Sequence, residues 1–139
     1  MPRKIIRSKE LWQTNLPYSY GTIVKGGTLV FLAGAIAVDK EGRTVGRGDM
    51  KAQIKQVVEN IRIALREAGA TLRDVVNMRI YTPDVDGILA LKEWRCQNFP
   101  ELWGGSPDSQ EAPSSTLVGV TKLGYDGGLV EIEVVAHLP

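Results

Sequence analysis

The chain has 139 residues, enough for one domain with a real core, and carries 17 basic against 16 acidic residues for a net charge of +1. That balance leaves no electrostatic footprint for nucleic acid or an anionic membrane, and no apolar run reaches the ~18 residues of a membrane span. The N-terminal stretch M-P-R-K-I-I-R-S-K-E lacks the apolar segment of a secretory signal, so a cytoplasmic location is expected. A single cysteine, Cys96, excludes an internal disulfide and a Cys-cluster metal site. The single histidine, His137, reads more simply as a surface residue at a strand end than as part of a catalytic pair.

Residues 4–6 read as a short first strand. Residues 11–20 are irregular and bulky, and Pro17 biases Leu16 to extended backbone. Tyr18 either packs in the core or turns its hydroxyl to a pocket. Strand-like runs at 22–24 and 28–33 flank Lys25-Gly26-Gly27, and paired glycines supply the positive φ of a tight hairpin turn. Residues 29–37, L-V-F-L-A-G-A-I-A, are nearly all apolar and predict a strand buried on both faces. Gly34 inside it marks a bulge, a close backbone approach, or no more than a relief of packing.

Asp49 caps a predicted helix running to residue 68, with Ile54, Val57, Val58, Ile61 and Leu65 on one face. Lys51, Lys55, Glu59, Arg62 and Arg66 form a solvated face opposite, and Gly69 ends the helix. Strand 75–82 alternates, with Val76, Met78 and Ile80 on one side and Asn77, Arg79 and Tyr81 on the other. The second set reads as a subunit interface, a cleft wall, or ordinary exposed surface. Pro83-Asp84 opens a second helix over 85–99, with Ile88, Leu91, Phe99 and either Trp94 or Arg95 on its apolar side. Cys96 there is expected to be inert.

Residues 100–111 read as a loop, in which Trp103 is either a movable flap or an anchor to the body. The chain then enters a strand through A-P-S-S-T-L-V-G-V-T (112–121), turns at 124–128, and ends in a strand over 129–137 that carries Glu131 and Glu133. The order β-β-β-α-β-α-β-β predicts an α+β fold over residues 1–139, a single mixed β-sheet with two helices packed on one face. The bare face needs cover, and a closed oligomer is the expected answer.

Several stretches carry a family resemblance: P-Y-S-Y-G (17–21), G-G-T-L-V-F-L-A-G-A-I-A-V-D (26–39), G-D-M-K-A-Q-I-K-Q-V-V-E-N-I (48–61), E-A-G-A-T-L-R-D-V-V (67–76), Y-T-P-D-V-D (81–86), P-S-S-T-L-V-G-V (113–120) and L-V-E-I-E-V-V-A (129–136). Their order and spacing resemble the RidA family, also called YjgF or endoribonuclease L-PSP. The resemblance implies a chorismate-mutase-like fold and a homotrimer with clefts between subunits. It further implies hydrolysis of reactive imines and enamines without metal or organic cofactor.

In that pattern Glu131 matches the water-positioning glutamate, Tyr18 the pocket tyrosine, and Gly34 the glycine of an S-G pair whose serine is replaced by Ala33. The family's carboxylate-binding arginine falls at Ser115, which supplies neither charge nor a bidentate fork. Ser114, Thr116, Lys92 and Trp103 complete the candidate substrate-binding set, with Glu131 and Ser115 as the candidate catalytic pair. Lys92 or Arg79 is a possible source of the missing cation, and the long 100–112 segment a possible lid. A hydroxyl-lined site fits a neutral or differently charged substrate better than the usual α-imino acid. The alternative is a non-catalytic trimeric protein that binds a small metabolite. The even charge balance counts against nuclease activity or RNA binding.

Overall fold

The computed structural model describes residues 3–139. A five-stranded mixed sheet forms its centre. Strands β3 (Thr28–Phe31), β7 (Glu131–Leu138), β5 (Val75–Thr82) and β6 (Ser114–Gly119) lie side by side in that order, and the short β4 (Ala35–Ile36) also pairs with β7. Only β5 and β6 run parallel. The expected mixed sheet is present, while β1 (Lys4–Ile6) and β2 (Gly21–Ile23) stand apart as an antiparallel ribbon.

The expected hairpin at Gly26-Gly27 does not form. Both glycines have positive φ, but β3 pairs with the long β7 instead of with β2. Here the glycines redirect the chain. A Cβ at Gly27 would collide with the Leu138 carbonyl oxygen, so only glycine lets the turn lie against β7.

Helix α1 (Met50–Glu67) is capped as expected, with the Asp49 carboxylate accepting from the Ala52 amide at 3.1 Å. Its C-terminus closes on Gly69 by paired bonds, Gly69 N–H to the Arg66 carbonyl at 3.0 Å and Ala70 N–H to the Leu65 carbonyl at 2.9 Å. The apolar face of α1 packs on Met78, Ile132, Val134 and Ala136 of the sheet. Buried Gln53 uses its whole amide: Nε2 donates to the Gly46 and Gly127 carbonyls, and Oε1 accepts from Leu129 N–H and the Tyr125 hydroxyl. Asn60 Nδ2 donates to the carbonyls of Ile36 and Val38 at 2.9 and 3.0 Å, which fixes β4 beneath the helix.

The predicted second helix over 85–99 is two pieces, α2 (Val85–Leu89) and α3 (Lys92–Asn98), and a further short helix, α4 (Pro100–Trp103), follows where a loop was expected. Pro100 begins α4, where its missing N–H costs nothing, so the expected loop opens with a helical turn. At the break after Leu89 the Ile88 carbonyl accepts from Leu91 N–H at 3.1 Å and also from Arg95 Nη2 at 3.2 Å. Trp94 and Phe99 of this layer lie against α1, with Lys51 and Lys55 Nζ 5.6 and 5.9 Å from the Trp94 ring.

Two further expectations are corrected. Residues 29–37 are not buried on both faces in the single chain: Phe31 is 72 % exposed and Leu29 49 %. Both lie on the face that carries no helix. His137 is no surface residue; it is buried, with Nε2 2.8 Å from the Gly26 carbonyl. Its strand continues past it and is covered by the 25–28 turn.

Candidate functional site

Strand register decides which candidate residues share a face. Arg79 pairs with Thr116 and Glu133, and Tyr81 with Val118 and Glu131. These side chains therefore lie on the sheet face away from the helices. Met78 pairs with Ser115 and Ile80 with Leu117, which puts Ser115 on the helix side. The two candidate catalytic residues, Glu131 and Ser115, thus stand on opposite faces of one sheet. In sequence the alternation of Ile132, Val134 and Ala136 already turns Glu131 away from the core, but no such alternation marks the side of Ser115, which strand pairing decides.

Glu131 lines a hollow of about 290 Å³ with Tyr81, Val120, Lys122, Leu123, Gly124 and Glu133. The Tyr81 hydroxyl donates to Glu133 Oε1 at 2.7 Å, and Arg79 Nη1 lies 3.5 Å from the same oxygen. The Glu133 carboxylate, by accepting that proton, raises the Tyr81 hydroxyl above its ordinary range. Glu133 is thereby occupied, whereas the Glu131 carboxylate has no hydrogen-bond partner among the described residues. Gly34 sits directly against it: a Cβ there would overlap Glu131 Oε2 and crowd the rest of the carboxyl group. The glycine reads as a close approach, and Asn60 holds the following backbone in place from the other side of the sheet.

On the helix side a cavity of about 300 Å³ is lined by Tyr18, Ser115, Trp103 and Arg95, with Leu16, Pro17, Ile80, Ile88, Leu89 and Leu117 as apolar wall; Thr116, whose side chain lies on the other face, borders it along the strand backbone. It brings together the side chains of three expected residues, Tyr18, Ser115 and Trp103. Trp103 is 1 % exposed, so it is a fixed wall and not a flap. Its ring packs edge-to-face on Phe99, at 6.0 Å between centroids. The segment around Ser19 bridges Ser114 in parallel and brings Tyr18 to the edge of β6.

Three expected residues are placed elsewhere. The Ser114 hydroxyl is engaged in a local network, accepting from Asn77 Nδ2 at 3.0 Å and lying 3.2 Å from the Val76 carbonyl. Lys92 starts α3 but does not line the cavity, and Arg79 is on the far sheet face beside Glu133. The cation that reaches the cavity is Arg95, buried to 3 % exposure. Its position was legible: Ile88, Arg95 and Phe99 fall seven and four residues apart, so Arg95 and not Trp94 continues the apolar stripe. Among the described residues no group of three or more His, Cys, Asp or Glu is placed to hold a metal ion, and no helix is long and apolar enough to cross a membrane.

Fold and geometry together describe an α+β protein with a hollow of small-molecule size on each face of its sheet. The family model described as Endoribonuclease L-PSP matches residues 12–138, and the chain belongs to that family. It is 33 % identical over 137 residues to a RutC family protein of Pyrococcus abyssi, covering 99 % of this chain and 98 % of the relative. Among solved structures it is similar to YyfB of Yersinia pestis, a Rid family protein described as of unknown function, with TM-score 0.82, 28 % identity, and 99 % and 100 % of the two chains covered. It is also similar to RidA of an Antarctic Psychrobacter, with TM-score 0.65, 31 % identity, and 87 % and 88 % covered.

Proposed function

We propose that the protein hydrolyses the C=N bond of a small reactive imine, or of the imine tautomer of an enamine, in a site completed between copies of the chain. The observation that carries this reading is Glu131: a partly exposed carboxylate without a hydrogen-bond partner among the described residues, packed against glycine backbone at the rim of a hollow. Such a group can take a proton from water as its oxygen attacks the imine carbon, then return a proton to the nitrogen. The carbinolamine loses ammonia and leaves a carbonyl compound. Water supplies the oxygen and both hydrogens, so no oxidant or cofactor is needed. The bare sheet face, where Phe31 and Leu29 are exposed, supports a reading in which a homotrimer covers it and lets Glu131 of one copy face the hydroxyl-lined cavity of the next.

The test generates a short-chain imine in situ and follows ammonia and carbonyl release. The expected result is acceleration over buffer that Glu131→Gln lowers by about 10²-fold or more, with an unchanged melting temperature. Absence of acceleration with a panel of aliphatic imines overturns the reading. Ligand-dependent thermal stabilisation without turnover would then favour a non-catalytic trimeric binder of a small metabolite.

A further inference from the structure

Where the end of α1 meets the turn before β5, a groove gathers charges that nothing in the chain matches. It has a volume of about 390 Å³ and is lined by Arg62 and Arg66 of α1, Arg73 of the 3₁₀ turn Leu72–Asp74, and Glu101 of α4, over an apolar floor at Ala70 and Leu72. Every other arginine of the chain has a hydrogen-bond or ion-pair partner, whereas Arg66 and Arg73 have none among the described residues. Arg62 and Arg66 also stand one helical turn apart, where like charges repel when no anion lies between them. Glu101 does not supply that anion. No ion pair joins it to the three arginines, and its Oε2 is buried without a donor. Buried polar oxygens are ordinarily hydrogen-bonded. Charges of both signs thus face one groove without meeting.

The lining narrows the ligand. We propose that this groove is a second binding site, for a phosphate monoester of a small polyhydroxy compound. Three guanidinium groups against one carboxylate leave a positive surplus that a dianionic phosphate matches. Guanidinium forks hold phosphate oxygens in pairs. An ionised Glu101 only accepts, so the same ligand must bring a donor, and hydroxyl groups near the phosphate provide one. Ala70 and Leu72 take the carbon skeleton. The groove is built from helical elements on the covered side of the sheet, and Glu131 stands on the other face. It therefore stays open when copies of the chain meet through the bare face, and it is independent of imine hydrolysis.

The test titrates glucose 6-phosphate, ribose 5-phosphate, glucose and inorganic phosphate into the full chain by calorimetry and thermal melting. It is run at low salt and about pH 7.5, where the phosphate carries nearly its full charge. At least one sugar phosphate is expected to bind at millimolar or lower concentration and to raise the melting temperature. Inorganic phosphate should bind at least about threefold more weakly, for want of the hydroxyl contact, and glucose not at all. Replacing both exposed arginines, Arg66→Met with Arg73→Met, should weaken sugar phosphate binding at least about tenfold. Lys51→Met, which removes an exposed α1 cation outside the groove, should leave it unchanged. Glu101→Gln separates the two ends of the ligand: inorganic phosphate should bind as well or better, having lost a like charge, while the sugar phosphate loses its advantage over it. Absence of binding by both sugar phosphates overturns the proposal. So does a double arginine variant that binds them normally, or an unchanged preference over inorganic phosphate in Glu101→Gln. A short RNA that binds through Arg66 and Arg73 more tightly than either sugar phosphate overturns it as well.

Discussion

At the scale of single residues, the site depends on what Gly34 lacks. Its backbone approaches Glu131 so closely that any side chain must displace the carboxylate. The displaced group is the far end of a flexible side chain, so Gly34→Ala is expected to cost little stability, under about 1 kcal/mol. It should nevertheless lower imine hydrolysis at least tenfold, a split read by comparing kcat with chemical denaturation. A loss of stability as large as the loss of activity would mean that Gly34 serves packing alone. Glu131 and Gly34 were legible because family motifs mark them. Arg95 was legible only as an anomaly, a charge on an apolar helical stripe. Nothing in the sequence said that its partner would be absent.

At the scale of elements, Gln53 links α1 to the turn that precedes β7. Its fully buried amide meets two carbonyls, one N–H and one hydroxyl. Gln53→Ala removes the acceptor of Leu129 N–H and a donor to the Gly127 carbonyl, leaves Tyr125 bonded to the Val130 carbonyl and Gly46 to Asp49 N–H, and opens a void, and an expected loss of about 3 kcal/mol follows. Urea denaturation measures it, and a change under about 1 kcal/mol would show that water replaces the amide readily. Helix α1 and strands β5, β6 and β7 fall close to where periodicity puts them, because each has a long, regular apolar pattern. The second helix does not. Its pattern runs continuously through residues 89–91, but tertiary packing divides it and lets Arg95 reach back to Ile88. The Gly26-Gly27 turn misleads for a related reason. Its glycines fit a hairpin, yet β7 offers β3 a longer partner than β2 does.

At the scale of the whole molecule, one sheet face is covered by helices and the other is bare. Phe31 stands on the bare face at 72 % exposure. In a monomer Phe31→Asp would change stability by only about 0.5 kcal/mol. In a trimer that buries this face, the same change places a charge in an apolar interface. The expected outcome is dissociation by light scattering together with loss of imine hydrolysis, since the Glu131 hollow and the hydroxyl-lined cavity would no longer meet. An unchanged assembly would show that Phe31 faces solvent.

The sequence by itself determined the family, the α+β class, the capped first helix and the identity of Glu131, Tyr18 and Ser115 as residues of interest. These follow from local pattern and motif, which the chain carries in its order. Only the tertiary structure decided that Glu131 and Ser115 lie on opposite faces of the sheet, that Trp103 is a fixed wall, and that Arg95 is the cation in the cavity. Those outcomes depend on strand register and on contacts between distant segments. A shift of register by one residue would exchange every face; the alternation of Ile132, Val134 and Ala136 marks the face of Glu131, and no comparable pattern around Ser115 marks its own.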